Sequence, residues 1–231
     1  MKKLGIIGAM QVEVETLLSC MSEKEAREIA GSVFYEGILE GLPVVVVQCG
    51  VGKVNAAICA QILCSCYGVT HLVNTGIAGS LCPELDIGDL VVSRDAMYHD
   101  FDCGGFGYPI GKVPGMDTVA FPGNETMITL AYAAAEAVNP GHTRIGRVAS
   151  GDQFICDKQV KDRIIANTQA LCTEMEGAAI AQAAVANGVP FVILRTISDL
   201  AEHQANVSFD ELEKYAGKLA GDITVALLAN L

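Results

Sequence analysis

LCTEMEGAAIAQAAVANGVPFVILRTISDLA, residues 171–201, is the stretch whose reading decides the fold. Two acids, Glu174 and Glu176, head an alanine-rich segment expected to be helical over Met175–Ala186. A continuously apolar run, Phe191–Ile197, follows it. An apolar strand without alternation is buried on both faces of its sheet, so helices must cover both sides. Arg195 interrupts this strand, and a buried arginine needs a carboxylate partner. Glu13, Glu176 and Asp199 are the available candidates. The glutamates raise the reciprocal problem, because an acid entering an apolar stretch carries a desolvation cost unless something meets it.

The same alternation continues outward along the chain. Strands are expected at Leu4–Ala9, Val33–Leu39, Val44–Cys49, His71–Thr75, Asp89–Ala96, Ile145–Ser150 and Phe191–Ile197. Helices are expected at Val12–Met21, Val54–Cys66, Glu125–Ala137, Lys158–Ala166, Met175–Ala186 and Phe209–Leu228. This order predicts a three-layer α/β/α fold with a central mixed sheet, not a barrel of eight equal units. Ser208, followed by Asp210 and Glu211, supplies a cap and first-turn acids for the last helix. Tyr98–Asn124 is dense in glycine, proline and aromatics, and reads as a long loop that is either functional or disordered. Its Phe106, Tyr108 and Phe121 call for a packing surface, such as a second subunit. No repeat or linker divides the chain, so residues 1–231 are expected to form a single domain.

Composition narrows the functions. Hydrophobic residues make up 51% of the 231 and charged ones 18%, enough for a large core. The net charge of −12 argues against a nucleic-acid surface, which needs clustered Lys and Arg. The nine cysteines are odd in number, lie mostly in apolar segments and form no C-x-x-C, which fits reduced thiols in the cytoplasm. The four histidines show no ligand spacing, so no metal site is expected. The N-terminal apolar run is too short for a signal segment, and no stretch approaches the roughly 20 apolar residues of a membrane span.

Small residues and acids collect after the strands, in GAMQVE (8–13), CGVGKVNAA (49–57), NTGIAGSL (74–81), SGDQFI (150–155), TEMEG (173–177) and RTISDLA (195–201). The carboxyl edge of an α/β sheet is where ligands bind. Phosphate-loop readings fail by position: a Walker A motif around Gly52-Lys53 would need glycine and serine or threonine where Val47 and Val54 stand. GIIGAM is not G-x-G-x-x-G, which argues against a dinucleotide cofactor. Glu13 falls in the first turn of a helix, where the dipole favours an anion. Asp199 closes the most apolar strand beside Ser198, and Asp152 reads as support for a turn.

In order along the whole chain run GIIGAM with Glu13, GVGKVNAA, NTGIAGSL, IGDLVVS, YHD, FGY with a following PG, SGDQFI, EMEG, and RTISDLA with SFDE. Together these motifs resemble those of the 5′-methylthioadenosine/S-adenosylhomocysteine nucleosidases, within the purine nucleoside phosphorylase-type superfamily. The resemblance implies a nucleoside phosphorylase-like fold and hydrolysis of the N-glycosidic bond of adenine nucleosides modified at the 5′ carbon. It implies that Glu13 is the base that activates water and that Asp199, supported by Ser198, protonates N7 of adenine. Glu176 and Met175 would meet the ribose, and Arg195 would hold the water and the carboxylates. Phe154 would stack on the purine, with Ile155 offering backbone hydrogen bonds. Met10, Val51 and Phe209 would line the 5′-alkylthio pocket, completed in a homodimer by Phe106, Tyr108 and Pro114 of the neighbouring subunit.

The chemistry agrees. Glycosidic cleavage develops positive charge on the sugar and negative charge on the base, and so uses an acid at the leaving group, a carboxylate near the sugar and a placed water. Neither metal nor organic cofactor is required. Where the family often has serine, this chain has Ile77, which removes a hydroxyl near the ribose and the nucleophile. Two alternatives remain at this level: a purine nucleoside phosphorylase using phosphate, and a nucleoside-binding protein without catalysis. Methylthioadenosine, adenosylhomocysteine, 5′-deoxyadenosine and aminofutalosine-type nucleosides stay unranked. The role of Glu174 turns on where the helix begins: if Thr173–Glu176 is extended, both acids face one side.

Overall fold

A computed structural model describes residues 2–201 and 209–230, with the side chains of Phe209 and Asp210 not included. The strands are β1 (Leu4–Gly8), β2 (Ser22–Ile29), β3 (Ser32–Leu39), β4 (Leu42–Gln48), β5 (His71–Ser80), β6 (Leu90–Tyr98), β7 (Phe121–Pro122), β8 (Thr143–Ser150), β9 (Cys172–Glu174) and β10 (Phe191–Asp199). The helices are α1 (Gln11–Cys20), α2 (Lys53–Cys66), α3 (Glu125–Val138), α4 (Lys158–Thr168), α5 (Gly177–Asn187) and α6 (Phe209–Leu228).

All ten strands belong to one mixed sheet with helices on both faces. Its inner strands explain the apolar runs. Along β1, Leu4 and Ile6 enter one core with Leu17 of α1 and Ile223 of α6. Ile7 enters the opposite core with Ala56 and Leu63 of α2 and Ala181 of α5. Every residue of β1 is buried, as is β10 up to Ser198. The alanines of α5 serve this packing: Ala178, Ala179, Ala181 and Ala184 are buried, and small side chains let α5 lie close to α2 and to the sheet.

The sheet has two unlike halves. β5 pairs with β10, β10 with β6, β6 with β8, β8 with β9, and β9 returns to β5. These five strands therefore close on themselves. From β5 the sheet continues outward as β1, β4, β3 and β2, ending on an exposed strand. The segments that follow the strands meet where this closed half adjoins β1 and β4, away from the exposed edge strand β2.

Several expectations are corrected. β2 is an additional strand: SEKEAREI is polar and exposed except at Ile29, without an alternating apolar face. β5 and β10 run on through NTGIAGS and RTISD, beyond the strand ends expected from the apolar runs; mutual pairing extends them, with a register shift between Ile197 and Asp199. α5 begins at Gly177, two residues later than expected. Phe121 needs no second subunit: it is fully buried and meets Tyr98 edge-on, ring centroids 6.0 Å apart. The Ser208 cap lies outside the described residues. Among the described residues no helix is long and apolar enough to cross a membrane, and all nine cysteines are free thiols.

Candidate active site

A cavity of about 240 Å³ opens where six segments meet. Ala9, Met10 and Glu13 come from the β1–α1 junction, Val51 from the turn before α2, and Ile77–Gly79 from β5. Gln153–Ile155 follow β8, Thr173–Glu176 span the β9–α5 junction, and Ser198 and Asp199 end β10. Of the residues singled out from the sequence, Met10, Glu13, Val51, Ile77, Phe154, Ile155, Met175, Glu176, Ser198 and Asp199 all line it.

Glu13 is buried in the third position of α1. Its Oε2 accepts hydrogen bonds from the amides of Ala9 (2.5 Å) and Met10 (2.9 Å), and its Oε1 accepts from the amide of Ile77 (3.0 Å). Burial raises its pKa, while Arg195 and these three amides oppose the rise. A carboxylate so held keeps a fixed orientation and a basicity above that of an exposed glutamate. Ile77 therefore contributes its backbone to the carboxylate even though its side chain offers no hydroxyl.

Arg195 is fully buried behind the cavity wall. Its nearest acid is Glu174, which was not among the foreseen partners; Nη2 donates to Glu174 Oε2 and to Asn74 Oδ1 (2.5 Å). Glu176 Oε2 lies 3.6 Å from Nη2, and Glu13 Oε1 lies 3.9 Å from Nη1. Asp199, the third candidate, is not part of this cluster. One guanidinium thus serves three carboxylates, an arrangement in which each unpaired charge would otherwise be costly.

Glu174 and Glu176 have separated in role. Glu174 ends β9, and its Oε2 accepts from the amides of Glu176 (3.0 Å) and Gly177 (2.7 Å) at the start of α5, while Ser150 donates to its Oε1. It is a helix-capping and arginine-pairing acid, satisfied on both oxygens. Glu176 sits at the N-cap with φ −132° and ψ −39° and reaches the amide of Gly52 (2.9 Å). Burial, then the neighbouring Glu174, pushes its pKa up to about 7 despite Arg195 and the Gly52 amide.

Asp199 lies half-buried at the end of β10. Its Oδ1 accepts from the amide of Ala201 (2.8 Å) and its Oδ2 from Ser198 Oγ (3.1 Å). Two glycines of β5 make room for these acids. A β-carbon on Gly76 would land on the Glu13 carboxylate and the Arg195 guanidinium, and one on Gly79 would come within 2.8 Å of Asp199 Oδ1.

Phe154 is 62% exposed at the cavity mouth, whereas Ile155 is buried against Leu81 and Ala149. Phe106, Tyr108 and Pro114 lie on the surface and are not part of the cavity wall within one chain. The side chain of Phe209 lies outside the described residues. Sequence reasoning missed Ala9, Ala78, Gly79, Gln153 and Thr173 as wall residues, and Asn74 as a partner of Arg195. The wall residues lie within the small-residue segments that follow the strands, and Asn74 stands out as a buried amide within the apolar strand HLVNTG, where it also donates to Ile7 O (2.9 Å). Among the described residues no cluster of His, Cys, Asp and Glu is arranged to hold a metal ion.

A family profile described as the phosphorylase superfamily matches residues 3–229. A 5′-methylthioadenosine/S-adenosylhomocysteine nucleosidase of Halalkalibacterium halodurans is 41% identical over the whole of both chains. A nucleosidase of the same name from Neisseria meningitidis, solved in complex with methylthio-immucillin-A, superposes with a TM-score of 0.96 at 33% identity, covering all of both chains. A futalosine hydrolase of Helicobacter pylori superposes with a TM-score of 0.94 at 31% identity, covering 100% of this chain and 98% of that one.

Proposed function

The chain belongs to the phosphorylase superfamily and, within it, to the 5′-methylthioadenosine/S-adenosylhomocysteine nucleosidases, and from that premise we propose that it hydrolyses the N-glycosidic bond of these two nucleosides to adenine and the thioribose product. Glu13 takes a proton from the attacking water. Asp199, oriented by Ser198, protonates N7 of the departing adenine. Glu176 accepts hydrogen bonds from the ribose hydroxyls, with Met175 against the sugar. Phe154 and Ile155 contact the purine, while Met10, Val51 and Phe209 enclose the 5′ substituent. Arg195 keeps Glu13 and Glu176 in place from behind.

One observation carries the choice of water over phosphate. Four carboxylates, Glu13, Glu174, Glu176 and Asp199, face the cavity, and its described wall holds no lysine or arginine. Arg195, behind the wall, is already surrounded by three of those acids, and Lys53 at the rim is paired with Asp100. A phosphate dianion entering this space would meet net repulsion, whereas a water beside Glu13 finds an acceptor. The experiment is release of adenine from methylthioadenosine in phosphate-free buffer. Hydrolysis predicts full activity there and no stimulation by added phosphate; a strict requirement for phosphate would establish phosphorolysis. Asp199→Asn should lower kcat by about 10²-fold or more, as loss of a general acid does. A protein that only binds nucleosides would show no turnover in either form.

The same reading makes the protein a cytoplasmic homodimer with one catalytic domain over residues 1–231. Exposed Phe106 (85%) and Tyr108 (40%) support it, as do exposed Val54 and Ile58 on α2 next to Val51. Apolar side chains so placed suit a partner surface. Phe106, Tyr108 and Pro114 of one subunit would then close the 5′ pocket of the other. A fully active monomer at micromolar concentration, measured by light scattering, would overturn this arrangement.

A further inference from the structure

Lys53 lies outside the cavity wall, yet three rim segments converge on it. Its Nζ donates to both oxygens of Asp100 (2.7 and 2.8 Å), lies 3.7 Å from Asp152 Oδ2, and stands 5.3 Å from the centroid of the Tyr98 ring. Its backbone amide donates to Asp152 Oδ1 (2.8 Å), and the amide of Asp152 donates to Asp100 Oδ2 (2.9 Å). One ammonium and two carboxylates therefore connect the turn after β4, the segment after β6 and the segment after β8. Lys53 and Asp100 are mostly shielded from solvent, at 22% and 17% side-chain exposure, so this cluster is less screened than a surface pair.

What the cluster holds is specific. Gly52, immediately before Lys53, donates its amide to Glu176 Oε1, and Val51 lines the cavity. Gly52 adopts φ +102° with its α-carbon turned toward Asp152; a β-carbon there would lie 3.2 Å from Asp152 Oδ1. Gln153, Phe154 and Ile155 follow Asp152 directly and also line the cavity. The segment after Asp100 leads to Phe106 and Tyr108.

We infer that Lys53 is a positioning residue: through Asp100 and Asp152 it ties the rim segments 49–53, 99–103 and 150–155 into one unit, which holds the Gly52 amide on Glu176 and sets Val51 against Phe154 across the cavity. This rests on the nucleosidase reading of the site. Glu13 and Asp199 stand on a helix start and a strand end away from the rim, so loosening the rim weakens binding of ground state and transition state alike and appears in KM more than in kcat.

The test combines kinetics with methylthioadenosine and hydrogen–deuterium exchange of the substrate-free protein. Lys53→Met keeps the aliphatic stem and removes the charge. It should raise KM about 10-fold or more with kcat within about threefold, and speed exchange in all three segments together. Asp100→Asn should do the same, and the double variant should be little worse than either alone, because both break one unit. KM within twofold of wild type in both single variants, or faster exchange confined to residues 49–53, would overturn the inference. A loss confined to the thermal midpoint, with KM unchanged, would mark a purely structural role and overturn it equally. Should Lys53→Met fail to fold, Asp100→Asn carries the same measurements. An inactive wild type would refute the nucleosidase reading, and the exchange pattern would then decide this inference alone.

Discussion

The closed half of the sheet and its outer wing are built from the same chain under opposite rules. In the closed half, most buried polar groups of β5, β9 and β10 have a partner: Asn74 and Glu174 on Arg195, Thr75 on Thr224, and Ser198 on Asp199. In the wing, β3 is only partly buried, and β2 exposes Glu23, Glu25 and Glu28. Charge on an outermost strand deters edge-to-edge association and tolerates change. Buried charge in the closed half is held by mutual pairing, so Arg195 and Glu174 are each constrained by several other residues. Glu174, Glu176 and Asp199 stand at the ends of closed-half strands and Glu13 on the helix after the buried strand β1, because directed, desolvated carboxylates cannot be held in place on a solvated surface.

That contrast can be broken most severely at Gly76. Gly76→Ala puts a methyl group where the Glu13 and Arg195 side chains meet. Displacing either by about 1 Å should lower kcat/KM by more than 10²-fold and depress the thermal midpoint by several degrees. Steady-state kinetics and a melting curve test both; near-wild-type activity would show that the cluster adapts freely.

A smaller effect concerns pH. Glu176 has its pKa raised from 4.5 to about 7 in the folded protein. Between these values the folded state binds more protons than the unfolded state, so this group's contribution to stability falls as pH rises through that window. Glu176→Gln lacks that dependence. The melting temperature of the variant minus that of wild type should therefore increase from pH 5 to pH 7.5. A constant difference across that range would show that Glu176 titrates normally.

The smallest effect belongs to the wing. Glu25 on β2 stands directly opposite Glu36 on β3. Like charges in that register repel, so Glu25→Lys should raise the melting temperature by about 1 °C and leave kcat/KM within twofold. A larger loss of activity would mean that the wing communicates with the site, against the division drawn between the halves.

The sequence alone determined the alternation of buried strands with helices, and so the layered fold, because continuous apolar runs admit few other burials. It also marked Glu13, Glu176, Arg195 and Asp199, because charged residues at the ends of apolar strands need a reason. α6 keeps the bounds its apolar pattern predicts. β2 was illegible because an exposed strand needs no apolar face. Closure of β5, β10, β6, β8 and β9 was illegible because pairing is a property of two strands and not of either one. The two glutamates of TEMEG show the limit most sharply. They differ in function because β9 ends at Glu174 and α5 starts at Gly177, turning one carboxylate back onto the helix start and Arg195 and the other toward the Gly52 amide. Only the tertiary structure could decide that, because the partners come from residues more than twenty and more than a hundred positions away.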